Sequence, residues 1–376
     1  MSRLFLALIA VFLCVLPAAS QAGESRALFS QRFSYHPLLL GDIGPAMNPD
    51  VVRGPEIDRT QAYLLDISEE DFLGKQTPPV RTVWDRIRNG FVVDPLRGPL
   101  VTEREHWYRQ RKDLVEAISY KSRRYLYHIV EAVEKRGLPM ELALLPFVES
   151  GFEPHALSSA QAAGLWQFIP GTAQRFRLKL SDQYDARRDI VASTEAALDY
   201  LQFLHGIFKD WKLALAAYNW GEEAVARAVQ RNQVRGLPTD YESLVMPEET
   251  RYYVPKLMAI RNIVQSPERH GITLADIDNR PYFSIVEVPV ELDIQAVARL
   301  AGSTTAEVLA LNPSHKSTLI SGKGRPALLI PAERAEEFSE RVAALPVKVR
   351  ATRKRDDSKA DRKAILGYKG PDGTAL

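Results

Sequence analysis

Residues 143–152 of this 376-residue chain read ALLPFVESGF, an apolar run that closes on a glutamate, a turn-permitting Ser-Gly pair and a phenylalanine. Glu149 needs an explanation, because a carboxylate withdrawn from water is disfavoured in its ionised form. Burial raises the pKa of such a carboxyl and can keep it protonated near neutral pH, ready to donate a proton. A glutamate that only caps a helix or forms an ion pair is the alternative. The run therefore indicates a candidate general acid at the end of a helix, above a cleft.

Three further motifs follow Glu149 in the chain, and four ordered motifs are far more specific than any one of them. They are AGLWQF at residues 163–168, AAYNWG at residues 216–221 and ETRYYV at residues 249–254. Together with the Glu149 run they resemble the lytic transglycosylases of the soluble type, over about residues 83–280. The resemblance implies a mainly α fold, with a lysozyme-like helical domain in that range.

The resemblance also implies a reaction, namely cleavage of the β-1,4 bond between N-acetylmuramic acid and N-acetylglucosamine in peptidoglycan, with formation of 1,6-anhydromuramic acid ends. Ordinary glycosidases use two carboxylates, whereas here Glu149 would act first as acid and then as base. Two alternatives remain open. One is a goose-type muramidase that hydrolyses the same bond with water, and the other is a non-catalytic peptidoglycan-binding protein.

Supporting residues carry groups that suit a sugar: a hydroxyl, two amides, two tyrosines and a glycine that permits close backbone approach. By resemblance, the substrate-binding residues are Ser150, Gly164, Gln167, Tyr218, Asn219 and Tyr253. For the two amides the alternative is to satisfy buried backbone groups. For Trp166 and Trp220 we expect core packing. Trp220 stands where the family usually has a small residue, and it is expected to narrow a subsite or extend a sugar platform.

The N-terminus has the pattern of a secretory signal peptide at residues 1–22: a short basic start, an apolar stretch at residues 4–16 that is too short to span a membrane, and small residues before a cleavage site after Ala22. The single cysteine, Cys14, follows Phe12 and Leu13 instead of the small residues of a lipoprotein signal. We therefore predict a periplasmic protein without a lipid anchor.

Helical periodicity begins near residue 83, after a Pro- and Gly-containing segment at residues 23–82 that is expected to form an N-terminal arm. Residues 107–136 space their apolar side chains by four or seven, which predicts one helix. The helix carrying Glu149 is expected to start near Pro139 and to bend at Pro146. Further helices are predicted over residues 190–208, with Asp189 as cap, 211–218 and 252–264.

The pattern changes after Pro281, where residues 281–345 read as strand, helix, helix and strand. This order resembles a LysM glycan-binding module, although residues 290–293, VELD, replace the usual Gly-Asp-Thr segment. It is a degenerate match, and a structural cap on the helical domain is the alternative to a binding module.

The tail at residues 346–376 contains nine Lys or Arg and four Asp. We expect a solvated, mobile basic terminus, with weak association to the cell envelope as the alternative. Its basic residues lack interleaved aromatics, so nucleic-acid binding is not predicted. The seven histidines show no paired ligand spacing, and neither a metal nor a cofactor is predicted.

Overall fold

A computed structural model describes residues 80–288, 291–320 and 327–345. The predicted signal peptide, nearly all of the predicted arm and the basic tail lie outside the described residues. Within the described ranges, every helix is too short or too polar to cross a lipid bilayer.

Helices make up most of the chain between residues 83 and 265. In chain order they are α1 Val83–Asn89, α2 Pro99–Arg109, α3 Lys112–Ser122, α4 Leu126–Lys135, α5 Leu145–Glu149, α6 Pro170–Arg175, α7 Ile190–Phe208, α8 Trp211–Trp220, α9 Glu222–Val234 and α10 Glu248–Gln265. Short 3₁₀ helices cover Met140–Leu144, Tyr241–Ser243 and Pro267–His270.

The two central helices, α7 and α8, begin where an aspartate supplies a cap. The Asp189 carboxylate accepts a hydrogen bond from the Ala192 N–H at 2.8 Å, and the Asp210 carboxylate accepts one from the Leu213 N–H at 2.9 Å. Each bond satisfies a backbone donor that has no partner inside the helix. The predictions of both helices and of the Asp189 cap are confirmed. The prediction of a helix over residues 252–264 is also confirmed, as part of α10.

The prediction of a single helix over residues 107–136 is wrong, because the chain turns twice and forms the last part of α2, α3 and α4. The second turn brings Tyr125 into the core, where its hydroxyl donates to the Ala310 carbonyl at 2.9 Å. Leu114, which the pattern placed on the buried stripe, is 44% exposed. The apolar spacing continues across both turns and therefore does not reveal them. The turns are fixed by contacts with distant residues.

Helical structure begins directly after Pro139, as predicted for the helix that carries Glu149, but its first part is 3₁₀ and not α. Pro139 caps the 3₁₀ helix Met140–Leu144, and α5 begins only at Leu145. Pro146 therefore lies in the first turn of α5, where a missing backbone N–H removes no helical hydrogen bond. The predicted reason for a bend at Pro146, a lost hydrogen bond inside a helix, therefore does not apply, and α5 is a five-residue helix that ends at Glu149.

A buried ion pair joins the segment that leads into α5 to the long helix α10. Glu141 is fully buried and accepts a hydrogen bond from the Arg261 Nε at 3.0 Å, and from the backbone N–H of Val93 at 3.2 Å. Breaking such a pair leaves an uncompensated buried charge and typically costs about 3–5 kcal/mol. The pair thus fixes α10 against the base of α5.

The C-terminal module contains the predicted strand, helix, helix and strand in that order, which confirms the prediction, together with two short strands and a last helix. Its elements are β1 Phe283–Glu287, β2 Leu292–Asp293, α11 Ile294–Leu300, α12 Thr305–Leu311, β3 Leu319–Ile320, β4 Ala327–Pro331 and α13 Ala335–Ala343. β1 pairs antiparallel with β4, with Phe283 opposite Pro331 and Glu287 opposite Ala327. β2 pairs antiparallel with β3.

The C-terminal module shares a core with the helical part of the chain. Phe283, Leu311 and Leu329 are buried in the cluster that also contains the side chains of α7, α8 and α10. At the surface, the Arg124 guanidinium donates two hydrogen bonds to the Glu307 carboxylate, at 2.8 and 2.7 Å. These contacts join the module to the helical domain, and they are compatible with both alternatives for the module.

Candidate active site

Glu149 occupies the last residue of α5, and the chain turns away directly after it. Gly151 and Phe152 both adopt left-handed backbone conformations, with φ of 58° and 56°. The backbone N–H groups of Ser150 and Phe152 both donate to the Pro146 carbonyl, which closes the end of the helix. The half-buried Glu149 side chain thus lies at a fixed helix end next to a tight turn.

Burial is the main reason that the Glu149 pKa is raised from an ordinary value of 4.5 to about 7. A hydrogen bond from the Tyr253 hydroxyl to Oε1 lowers this pKa, because the bond favours the ionised carboxylate. The negative charge of Glu249 raises it, and the positive charge of Lys256 lowers it. Near neutral pH the carboxyl is therefore close to half protonated, the condition under which one group can serve as acid and as base.

Tyr253 and Tyr218 approach the acid from two different helices. Tyr253 lies on α10 and is almost fully buried, and its hydroxyl donates to Glu149. Tyr218 lies on α8, and its hydroxyl donates to the Trp166 carbonyl at 2.9 Å. Burial and the charge of Glu149 raise the pKa of both phenols well above 10. Both hydroxyls consequently remain hydrogen-bond donors at physiological pH.

Ser150 and Gln167 lie on either side of the loop that follows α5, and both are tied to that loop. The Ser150 hydroxyl lies 3.0 Å from the Leu165 carbonyl and 3.3 Å from the Pro146 carbonyl. The Gln167 Nε2 donates to the Gly164 carbonyl at 2.8 Å. The serine hydroxyl proton and one amide proton are thus used within the protein, which leaves the oxygen lone pairs of both side chains for a ligand.

Gly164 makes the close backbone approach that was predicted, but its neighbour is the chain itself. Its φ is 82°, and a Cβ added here would lie 2.0 Å from the carbonyl oxygen of Arg187. Any larger residue would therefore collide with backbone. Packing inside the protein is thus one reason for the glycine, and its contact with substrate stays a prediction.

Asn219 lies one residue before the end of α8, beside the first turn of α10. The Thr250 hydroxyl donates to its Oδ1 at 2.8 Å, and its Nδ2 lies 3.5 Å from Glu249 Oε1. Thr250 and Glu249 were not predicted as site residues. They stand three and four residues before Tyr253, so all three share one face of a helix. That spacing within the ETRYYV motif is the signal that would have identified them.

The two tryptophans near the site pack against the core, as expected. Trp166 is completely buried and its Nε1 donates to the Thr194 hydroxyl at 3.0 Å. Trp220 is half-buried and packs against the main core. In the described part of the chain, His, Cys, Asp and Glu side chains form no cluster of three or more that could hold a metal ion.

Two family models match the chain, and they divide it near residue 281. Residues 127–237 match the Transglycosylase SLT domain, and residues 282–347 match the family described as Lytic transglycosylase MltD, LysM-like domain. The chain carries an SLT domain. Glu149, Gln167 and Asn219 all lie within the matched range of that domain, whereas Tyr253 comes from α10, beyond its end.

Three proteins are similar to parts of this chain. The chain is 36% identical over 271 residues to the membrane-bound lytic murein transglycosylase D of Escherichia coli K12, a match that covers 72% of this chain and 60% of that protein. It is 45% identical over 119 residues to a putative tributyltin chloride resistance protein of Alteromonas sp., covering 31% of this chain and 58% of that one. The membrane-bound lytic murein transglycosylase C of Haemophilus influenzae PittEE is 29% identical over 162 residues, with 39% and 42% covered. The chain thus spans between two fifths and three fifths of the length of these relatives.

Proposed function

We propose that this protein is a peptidoglycan lytic transglycosylase that cleaves the β-1,4 bond between N-acetylmuramic acid and N-acetylglucosamine and leaves 1,6-anhydromuramic acid ends. The observation that carries the proposal is Glu149: a half-buried carboxyl with a pKa of about 7, hydrogen-bonded by Tyr253, beside the motifs of an SLT domain. The names of its lytic murein transglycosylase relatives indicate the same class of substrate.

In the first step, protonated Glu149 donates its proton to the glycosidic oxygen while the bond from that oxygen to C1 of the muramyl sugar breaks. The leaving sugar keeps the proton and departs with a free hydroxyl. Positive charge then develops at C1, where the N-acetyl group of the substrate can stabilise it. The proton donor must be neutral before this step. Burial is the physical reason that the Glu149 carboxyl can be protonated, and so neutral, near neutral pH.

In the second step, the Glu149 carboxylate accepts the proton of the muramyl 6-hydroxyl as that oxygen bonds to C1. The anhydro ring closes, and the acid is protonated again for the next cycle. The Tyr253 hydroxyl stabilises the carboxylate between the two steps, because it donates to Oε1. Water is neither consumed nor released, so a second carboxylate to activate water is unnecessary.

Residues around the acid have groups suited to holding the glycan in place. The oxygens of Ser150 and Gln167 would accept hydrogen bonds from sugar hydroxyls or N-acetyl N–H groups. The amide of Asn219, whose Oδ1 is fixed by Thr250, would present its Nδ2 to an acceptor on the sugar. The Tyr218 ring would offer an apolar face to a sugar ring.

Mass spectrometry of muropeptides released from purified sacculi tests the proposal directly. We expect products with 1,6-anhydromuramic ends from the parent chain and none from Glu149→Gln, a variant that retains the size of the side chain but has no carboxyl proton. Reducing ends would instead identify a hydrolysing muramidase of the goose type. Retention on sacculi without any product would identify a non-catalytic wall-binding protein.

We also propose that the protein acts in the periplasm after export, because the proposed substrate lies outside the inner membrane. The apolar stretch at residues 4–16 and the small residues before Gly23 support a signal peptide. N-terminal sequencing of the mature protein should find Gly23 or a close neighbour at its terminus. A lipid-modified Cys14 at that position would overturn this part of the proposal.

A further inference from the structure

The active-site loop, residues 161–168, carries Gln167 and has an unusual backbone. Gln161 and Gln167 both adopt left-handed conformations, with φ of 62° and 49°. Such conformations are unfavourable for residues that have a Cβ, and they persist only where surrounding structure holds them. Two backbone hydrogen bonds join Ala163 to Phe168 inside the loop. The Gln167 N–H and Nε2 also donate to the Gly164 carbonyl within the loop, and further support comes from outside it.

Arg187 supplies that support from the segment before α7. Its side chain is almost fully buried, and its Nη1 donates to the Gln161 carbonyl at 2.6 Å and to the Phe168 carbonyl at 3.2 Å. One nitrogen thus bridges the two ends of the active-site loop. The main chain of Arg187 also packs against Gly164, at the contact that excludes any side chain there.

Asp185 fixes the guanidinium in this position. Its Oδ1 accepts from the Arg187 Nε at 3.0 Å and its Oδ2 accepts from Nη2 at 2.8 Å, a fork that sets both the distance and the plane of the group. Burial alone would raise the Asp185 pKa, but the hydrogen bonds and charge of Arg187 outweigh it and lower that pKa. The pair is therefore a buried ion pair with a defined geometry.

The C-terminal module holds the same segment from the opposite side. The Asp185 N–H donates to the Ser314 carbonyl at 2.9 Å, and the Lys316 N–H donates to the Gln183 carbonyl at 3.0 Å. The ring of His315 packs edge-on against Tyr184, with centroids 5.2 Å apart. Residues 181–188 thus lie between the module and the active-site loop.

We propose that Arg187 and Asp185 are positioning residues for the active-site loop, and that residues 314–316 of the C-terminal module hold this pair in place. The ion pair touches no reacting group and acts through Gln167. The inference rests on the proposed function, because it assigns a catalytic consequence to a loop that would hold glycan. It gives the module a role in catalysis that is separate from any binding of glycan by the module itself.

A double-mutant cycle between Arg187→Lys and Gln167→Ala tests this role. Lysine keeps the charge that pairs with Asp185, but it cannot bridge both carbonyls while holding the fork. We expect Arg187→Lys to lower kcat/KM for release of anhydro-muropeptides about tenfold, since small displacements of a substrate-holding group have effects of this size or larger. Gln167→Ala in that background should then cost little more. If the two losses multiply in full, Arg187 does not act through Gln167 and the proposal fails.

Two readouts separate positioning from general damage. The pH dependence of the rate should be unchanged in Arg187→Lys, because Arg187 is not among the groups that set the Glu149 pKa. Hydrogen exchange of the Ala163 and Phe168 amides should be faster. Arg124→Lys is the matched control, since it breaks the fork with Glu307 on the same module without touching the loop. Faster exchange in the control as well would overturn the proposal.

Lys316 provides a test that leaves the buried pair intact. Its side chain is exposed, and its ammonium donates to the Ser181 carbonyl at 2.8 Å. Lys316→Ala removes that contact and the positive charge that acts on Asp185, whereas Lys316→Pro removes both of these and also the N–H bonded to Gln183. We expect faster exchange of the loop amides in the proline variant than in the alanine variant. Equal exchange in both would refute the role of the module, and because exchange needs no turnover, this result is distinct from a failure of the proposed activity.

Discussion

Replacing Glu149 with glutamine should stabilise the protein at pH 8 relative to the parent chain and lose that advantage at pH 4. The folded-state pKa of about 7 lies above the ordinary value of 4.5. Between these values the folded chain retains a proton that the unfolded chain has released. The stability of the parent is therefore complete below pH 4.5, and its free energy of unfolding falls as the pH rises through 7. Glutamine cannot ionise, so Glu149→Gln does not show this fall.

The size of the effect follows from the two pKa values. They differ by about 2.5 pH units, and each unit corresponds to about 1.36 kcal/mol of difference between the two protonation states. The full difference is thus about 3 kcal/mol. This value is an upper bound, because the half-buried carboxyl keeps part of its hydration. The hydrogen bond with Tyr253 can persist in the variant, since the glutamine carbonyl also accepts.

Urea unfolding of both proteins at pH values from 4 to 8 measures this difference as a curve of free energy against pH. Glu223→Gln is the matched control, because it removes a carboxylate whose side chain is 88% exposed. Glu149→Gln should also lose activity at every pH, by at least the ~10²- to 10⁴-fold typical of general acid–base groups. A stability difference that is the same at pH 4 and pH 8 would refute the raised pKa and with it the reason that Glu149 can start as an acid.

Three further predictions concern the surroundings of the acid. Tyr253→Phe removes a hydrogen bond that favours the carboxylate, so the Glu149 pKa should rise above about 7. The alkaline limb of the pH–rate profile should then move up by about one pH unit. A limb at the same pH as in the parent chain would contradict this. Gly164→Ala should lower the thermal melting temperature strongly and abolish activity, because its Cβ would collide with the Arg187 carbonyl, and a variant that melts like the parent would be inconsistent with this packing. Removing residues 281–345 should lower the melting temperature of the remaining helices, since their core would lose buried apolar surface, whereas an unchanged temperature would indicate an independent module.

The sequence was sufficient to predict those helices whose ends are set by residues close to them in the chain. Helix α7 has an aspartate cap directly before a regular apolar stripe, and both were visible in the sequence. The single-helix reading of residues 107–136 was wrong because the turns within it contain neither glycine nor proline. The chain turns near Tyr125 to place its hydroxyl against Ala310, a residue 185 positions away. A pattern within a short stretch of sequence cannot predict a contact between residues so far apart.

The candidate site shows the same division. The apolar run before Glu149 was enough to identify it as a candidate, because apolar neighbours in the sequence indicate that a carboxyl is buried. The spacing within ETRYYV places Thr250 on the helix face of Tyr253, but its hydrogen bond to the Asn219 amide, 31 positions away, could be found only once α8 and α10 were placed together. The substrate contacts expected of the residues around Glu149 remain predictions.

The core shared by Phe283, Leu311 and Leu329 has a consequence for how such a protein can change over evolution. Sequence families divide the chain near residue 281, but the hydrophobic core of the described residues crosses that boundary. A replacement module would have to supply three apolar side chains of matching shape, or the helical half would lose stability. We therefore expect the two halves to be inherited as a pair, with recombination at the family boundary rarer than substitution within either half.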